Sequence, residues 1–235
     1  YMNTEKRALL ACKVLETLGM YDVPVVAGIG KPMAMPNKEF KKQFKAHKPR
    51  QMEVLSEIST CIEPLKMDVV EFLRETIEKY PKNITLLTIG GTTNIGMLLK
   101  RYPGIGKKIK EIVMMAGCIS ASYPEWNVVC DPEAAKIVFD SNVPIKMIGL
   151  DVTLKCVMEE KDVNKLKKSK EPFPNLLGKL ITLWERKNPF TGKLYKPTLH
   201  DPLASMTLNH NYIVKFQPFK INIETEGRYG RAMTC

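Results

Sequence analysis

The chain has 235 residues, 44% of them apolar, and a formal net charge of +11 at pH 7, which is enough material for a sizeable core. No apolar run approaches the ~20 residues a membrane helix needs, and the opening residues lack the charged-then-apolar pattern of a leader. The basic balance raises nucleic-acid binding, but the lysines gather in 38–48 and 161–170 as solvated loops and helix faces, without the interleaved aromatics of a specific reader.

Taken in order, Leu9, Leu10, Val14, Leu15 and Leu18 fall at helical spacing over Thr4 to Leu18, and Gly19 supplies a stop. The chain thus opens with a helix already in progress at Tyr1 and stops at Cys235 soon after a turn. We therefore expect one domain over 1–235, cut at both ends. Val23 to Ala27 reads as a short strand. The following Gly28-Ile29-Gly30-Lys31-Pro32 lacks the earlier Gly and the Ser or Thr of a phosphate loop, so it reads as a turn. Met33 to Cys61 is basic and long enough for a lid or an insertion, and His47 lies inside it.

Val69 to Tyr80 has helical period, and Ile84 to Thr88 is a buried strand. Gly90-Gly91-Thr92-Thr93-Asn94 is a turn that lets backbone approach a ligand, with the helix Ile95 to Lys100 behind it. Ile105 to Lys110, the apolar run Ile112 to Met115, a helix from Pro132 to Phe139 and a strand from Pro144 to Leu150 follow. This alternation predicts an α/β fold, a mostly parallel open sheet with helices on both faces. Ligands in such sheets sit beyond the carboxyl ends of the strands, where Ile89, Met115 and the loop holding Glu125 fall.

In Pro124-Glu125-Trp126-Asn127, an extended backbone would send the Glu125 and Asn127 side chains to one face, where both could grip one polar ligand. Asp131-Pro132 reads as an N-cap followed by Pro in the first turn. Asp151-Val152-Thr153 continues the strand and reads best as a cap for the next helix. Val157 to Lys170 is a charged helix. Pro172 to Lys187 is amphipathic, with Leu176, Leu177, Leu180, Ile181 and Trp184 as its buried stripe. In His200-Asp201-Pro202, Asp201 either caps the helix Pro202 to Asn209 or serves a site. Phe219 to Glu224 alternates as an edge strand, and Gly227 to Gly230 turns it back. The six cysteines are scattered without C-x-x-C pairs, which favours reduced thiols and a cytoplasmic setting over zinc.

The Glu-aromatic-Asn triplet leading into Asp131-Pro132-Glu133-Ala134-Ala135 resembles the inosine-uridine-preferring nucleoside hydrolases, as do Gly90-x-x-Thr93-Asn94, Asp151-Val152-Thr153 and His200-Asp201-Pro202. The resemblance covers nearly the whole chain and is weakest over 33–61, although the family often has a His near the position of His47. It implies hydrolysis of a ribonucleoside N-glycosidic bond by a Ca²⁺-bound water. It assigns Asp201 and the Ile89 main-chain oxygen to the metal, Glu125 and Asn127 to the ribose hydroxyls, and Met115 to a contact beneath the sugar. Trp126, where the family has Phe, would stack near the sugar or fill core, and His200 would protonate the departing base. The family's opening cluster, Asp-x-Asp-x-x-x-Asp-Asp, is absent from these residues, as is an Asn ahead of the triplet. The 235 residues alone are therefore expected to bind Ca²⁺ poorly and to be inactive, with the parent a nucleosidase and, like its relatives, a dimer or tetramer. The alternative is a non-catalytic nucleoside- or sugar-binding paralogue.

Overall fold

The computed structural model describes residues 4–34, 50–57, 60–187, 192, 194–227 and 229–235. His47 and much of the expected 33–61 lid lie outside them. In chain order the described elements are α1 (Thr4–Thr17), α2 (Val54–Glu57), α3 (Val69–Lys79), β1 (Thr85–Thr88), α4 (Thr93–Arg101), β2 (Glu111–Met115), α5 (Trp126–Cys130), α6 (Pro132–Phe139), β3 (Ile145–Ile148), α7 (Leu150–Thr153), α8 (Glu160–Lys168), α9 (Pro172–Trp184) and α10 (His200–Met206). They fall into two compact units, one from Tyr1–Gly30, Pro36–Asp68 and Val157–Pro197, the other from Lys31–Met35, Val69–Cys156 and Thr198–Cys235.

The second unit holds the sheet. Its strands run parallel in the order β1-β2-β3, with Thr85 opposite Glu111 and Ile112 opposite Ile145. Ile112, Val113, Met114 and Met115 of the central strand are all buried, as a parallel strand covered on both faces requires. The expected α/β architecture is therefore present. Helix α6 starts where the sequence predicts: Asp131 is the N-cap, its Oδ1 accepts from Ala134 N at 3.1 Å, and Pro132 occupies the first turn. Helices α4 and α6 pack so closely that a Cβ on Gly96 would lie 2.8 Å from Ala134 Cα.

In the first unit α9 packs against α8 and α1. Gly178 makes the approach to α8 possible, since a Cβ there would meet Leu166 O at 2.8 Å. Gly19 ends the α1 segment in the left-handed region, at φ +70.

Several expectations need correction. The strand Val23 to Ala27 shrinks to one parallel bridge, Val26 to Leu65, because Pro24 has no N–H for a ladder. The edge strand Phe219 to Glu224 is only the Ile223–Thr234 bridge, supported by reciprocal backbone bonds between Asn222 and Cys235 at 2.6 and 3.0 Å. Helix α9 ends at Trp184, which is exposed and leaves the buried stripe to Leu176 and Ile181. Asp151 caps no later helix. It sits in the first turn of α7, and α8 begins at Glu160, its N-cap Glu159 making no side-chain cap bond.

Candidate active site

All seven residues singled out for a site belong to the second unit. Ile89 lies one position past β1, is about half exposed, and leads into the Gly90-Gly91 turn before α4. Met115 closes β2. Beyond it Gly117 adopts φ +72, a left-handed turn that suits glycine, and its N–H donates to Glu125 Oε2 at 3.1 Å.

Glu125 and Asn127 do not share the face of an extended strand. Glu125 alone is extended and serves as the N-cap of α5, its carboxylate accepting from Asn127 N at 2.9 Å and Val128 N at 3.3 Å. The orphan N–H groups of a new helix explain the difference, because a carboxylate just before them satisfies two at once. Asn127 therefore enters the first turn, where its Nδ2 donates to Met115 O at 2.9 Å and its Oδ1 accepts no hydrogen bond among the described residues. Trp126 is 38% exposed, so it does not fill core.

Helix α10 carries the remaining pair. Ala204 and Leu203 pack with Val113, Met115, Ile148, Leu87 and Leu150, which anchors the helix over the strand ends. The helix begins at His200, with Leu199 at the cap position making no side-chain bond. The capping alternative for Asp201 is therefore not realised, and among the described residues its carboxylate accepts no hydrogen bond. His200 Nδ1 lies 2.8 Å from the Oγ1 of Thr153, a fully buried side chain. Sequence reasoning missed this contact, since its partners are 47 positions apart and nothing local marks it.

The electrostatics tie the parts together. Burial pushes the Glu125 carboxyl above its ordinary value. Its three backbone donors pull it down, and the charge of Asp201 pushes it up again. Burial raises the Asp201 carboxyl and lowers the His200 imidazole. The repulsion between Glu125 and Asp201 puts the two carboxylates in one neighbourhood. No group of three or more His, Cys, Asp or Glu able to hold a metal occurs among the described residues. A groove of about 1010 Å³ runs along β3 and residues 215–222 and includes none of the seven. The converging polar groups, rather than that groove's volume, mark the candidate site.

The chain resembles known proteins along almost its whole length. The profile of the inosine-uridine preferring nucleoside hydrolases matches residues 2–235. A pyrimidine-specific ribonucleoside hydrolase RihA from Citrobacter koseri is 28% identical over 231 residues, spanning 94% of this chain and 72% of the relative. The RihA of Shewanella woodyi is 30% identical over 232 residues, 95% and 72% of the two lengths. A purine-preferring ribonucleoside hydrolase from Gardnerella vaginalis superposes with TM-score 0.78 at 25% identity, covering 98% of this chain and 75% of that one. A plant nucleoside hydrolase, PpNRh1, gives 0.84 at 20% identity over 98% and 74%, a likeness of fold. With its parallel sheet and a profile match over almost its entire length, the chain belongs to the inosine-uridine preferring nucleoside hydrolase family.

Proposed function

We propose that the protein hydrolyses the N-glycosidic bond of ribonucleosides, placing the water's oxygen on ribose C1′ and a proton on the departing base. The observation that supports this most is the convergence of Glu125, Asn127, His200 and Asp201 at the carboxyl ends of a parallel sheet in a chain of this family. Glu125 and Asn127 present acceptor oxygens held by backbone bonds, suited to the vicinal hydroxyls of a ribose. Met115 backs them through the carbonyl that orients Asn127, and exposed Trp126 offers a face to the sugar. His200 is the group for the leaving base.

Ca²⁺ takes six to eight oxygens, and this chain offers two of the family's set, the Asp201 carboxylate and the Ile89 carbonyl. The half-buried Asp201, without a hydrogen-bond partner among the described residues, suits a cation, yet two oxygens do not make a shell. Ca²⁺ is therefore proposed with ligands from beyond these 235 residues, and these residues alone are inactive. When bound, such an ion makes water more acidic and orients hydroxyls. The chain's own residues hold the sugar and manage the base.

The scattered cysteines, none of which forms a disulfide, suit a reducing cytoplasm, and a homo-oligomer, dimer or tetramer, fits the family resemblance. Among the described residues no helix is long and apolar enough to cross a membrane. The test is protein expressed from its complete reading frame, incubated with inosine and uridine. Free base and ribose that disappear on chelation and return with Ca²⁺ support the reading. Nucleoside binding without turnover would instead support the paralogue that binds without catalysis, a reading favoured only by the missing aspartate cluster.

A further inference from the structure

We propose that Thr153 is a positioning residue that holds His200 in a single tautomer, with its hydrogen on Nε2, and fixes the plane of the ring. The inference rests on the nucleosidase reading for its consequence, but not for its geometry. Thr153 has no exposed surface, and its backbone is committed within the α7 turn, with its N donating to Gly149 O and its O accepting from Cys156 N. The hydroxyl has one partner among the described residues, His200 Nδ1 at 2.8 Å.

A buried hydroxyl gives its hydrogen to an acceptor, because leaving it unmade costs the full desolvation of the group. Here the acceptor is Nδ1. A neutral imidazole that accepts at Nδ1 carries its hydrogen at Nε2. Thr153 is locked twice, by its rotamer as a β-branched residue and by the packing around it, so the ring inherits a fixed orientation. His200 then presents Nε2–H as a donor toward the base, and Thr153 touches neither base nor sugar.

The test uses histidine labelled with ¹⁵N in the 235-residue chain, read by long-range proton–nitrogen correlation near pH 8, where a free imidazole is neutral. The His200 signal is identified by its loss in His200→Ala. The wild type and Thr153→Ser should show a bare Nδ1 and a protonated Nε2. Thr153→Val, similar in volume but without the hydroxyl, should show both tautomers. A protonated Nδ1 in the wild type overturns the proposal even if the valine variant fails to fold, and so does an unchanged spectrum in a folded Thr153→Val.

Kinetics on protein from the complete reading frame give the second arm. With inosine, Thr153→Val should lose about tenfold in kcat with little change in KM, part of the ~10²–10⁴ that a placed proton donor contributes. Serine should restore it, and a riboside of 4-nitrophenol, whose leaving group needs no proton, should be cleaved at the wild-type rate. An equal loss on both substrates would overturn the positioning role. If the wild type cleaves neither substrate, the nucleosidase reading falls, and the spectrum alone still decides for or against Thr153.

Discussion

Asp131 Oδ2 accepts the Thr93 hydroxyl at 2.7 Å, joining the start of α4 to the start of α6 through a carboxylate with no exposed surface. The same oxygen accepts Met33 N at 2.9 Å, and Oδ1 accepts Ala134 N. One side chain thus anchors three segments behind the Gly90-Gly91 turn. Replacing it by alanine removes the helix cap and leaves two further donors without their acceptor. Asp131→Ala should lower stability by about 3 kcal/mol, and Thr93→Val by about 1 kcal/mol. Urea unfolding of the two variants should rank them in that order, and equal midpoints would deny Asp131 its wider role.

Gly96 poses the opposite problem, a missing side chain. Alanine is the better helix former by about 1 kcal/mol, yet its Cβ would stand 2.8 Å from both Cα and Cβ of Ala134, inside van der Waals contact with backbone. Overpacking of this sort costs about 1–3 kcal/mol. Gly96→Ala should therefore be net destabilising, by calorimetry, while an alanine at exposed Gly104, where a Cβ meets nothing within 4 Å, should change little.

The two site carboxylates should respond differently to loss of charge. Both have folded values raised by burial, so their contribution to stability is fully present below the ordinary carboxylate range near pH 4 and is lost as pH rises through the folded values. Among the described residues Asp201 has no hydrogen bond to set against its desolvation. With chelator present at pH 7, Asp201→Asn should therefore raise Tm by a few degrees, with the gain fading toward pH 4. Glu125→Gln also removes charge, but a single amide oxygen replaces two that serve Gly117, Asn127 and Val128. It should destabilise by about 1–3 kcal/mol. A thermal scan in which both amides shift Tm the same way would contradict this division.

What the sequence disclosed and what it hid follow from the reach of each interaction. Asp131-Pro132 was legible because cap and proline act within one turn, and β2 because four consecutive apolar residues leave a buried strand few alternatives. Glu125 misled because a Glu-x-Asn pair looks alike on a strand and at a helix start. Only the donors of Val128 and Gly117, the latter eight positions upstream, decide between them. Asp201 before a proline could equally have been a cap, whereas packing of Leu203 and Ala204 on Met115 and Ile148 goes with a helix that starts two residues earlier, at His200. The Thr153 to His200 bond has no local trace at all. The convergence of the site was legible only through the resemblance, while the raised carboxyls of Glu125 and Asp201 needed the burial that three dimensions provide.

His200 and Asp201 are neighbours with separable assignments. Asp201 has no hydrogen-bond partner among the described residues and is the carboxylate proposed for a cation, so Asp201→Ala in protein from the complete reading frame should abolish Ca²⁺ binding by calorimetric titration and take turnover with it. His200 is proposed for the leaving base, and burial lowers its imidazole below the ordinary value. His200→Ala should leave the Ca²⁺ isotherm unchanged and reduce kcat on inosine by about 10²-fold or more. The asymmetry is the content of the prediction. Metal affinity lost in His200→Ala and kept in Asp201→Ala would exchange the two roles, and unchanged turnover of several nucleosides in His200→Ala would remove the imidazole from proton transfer.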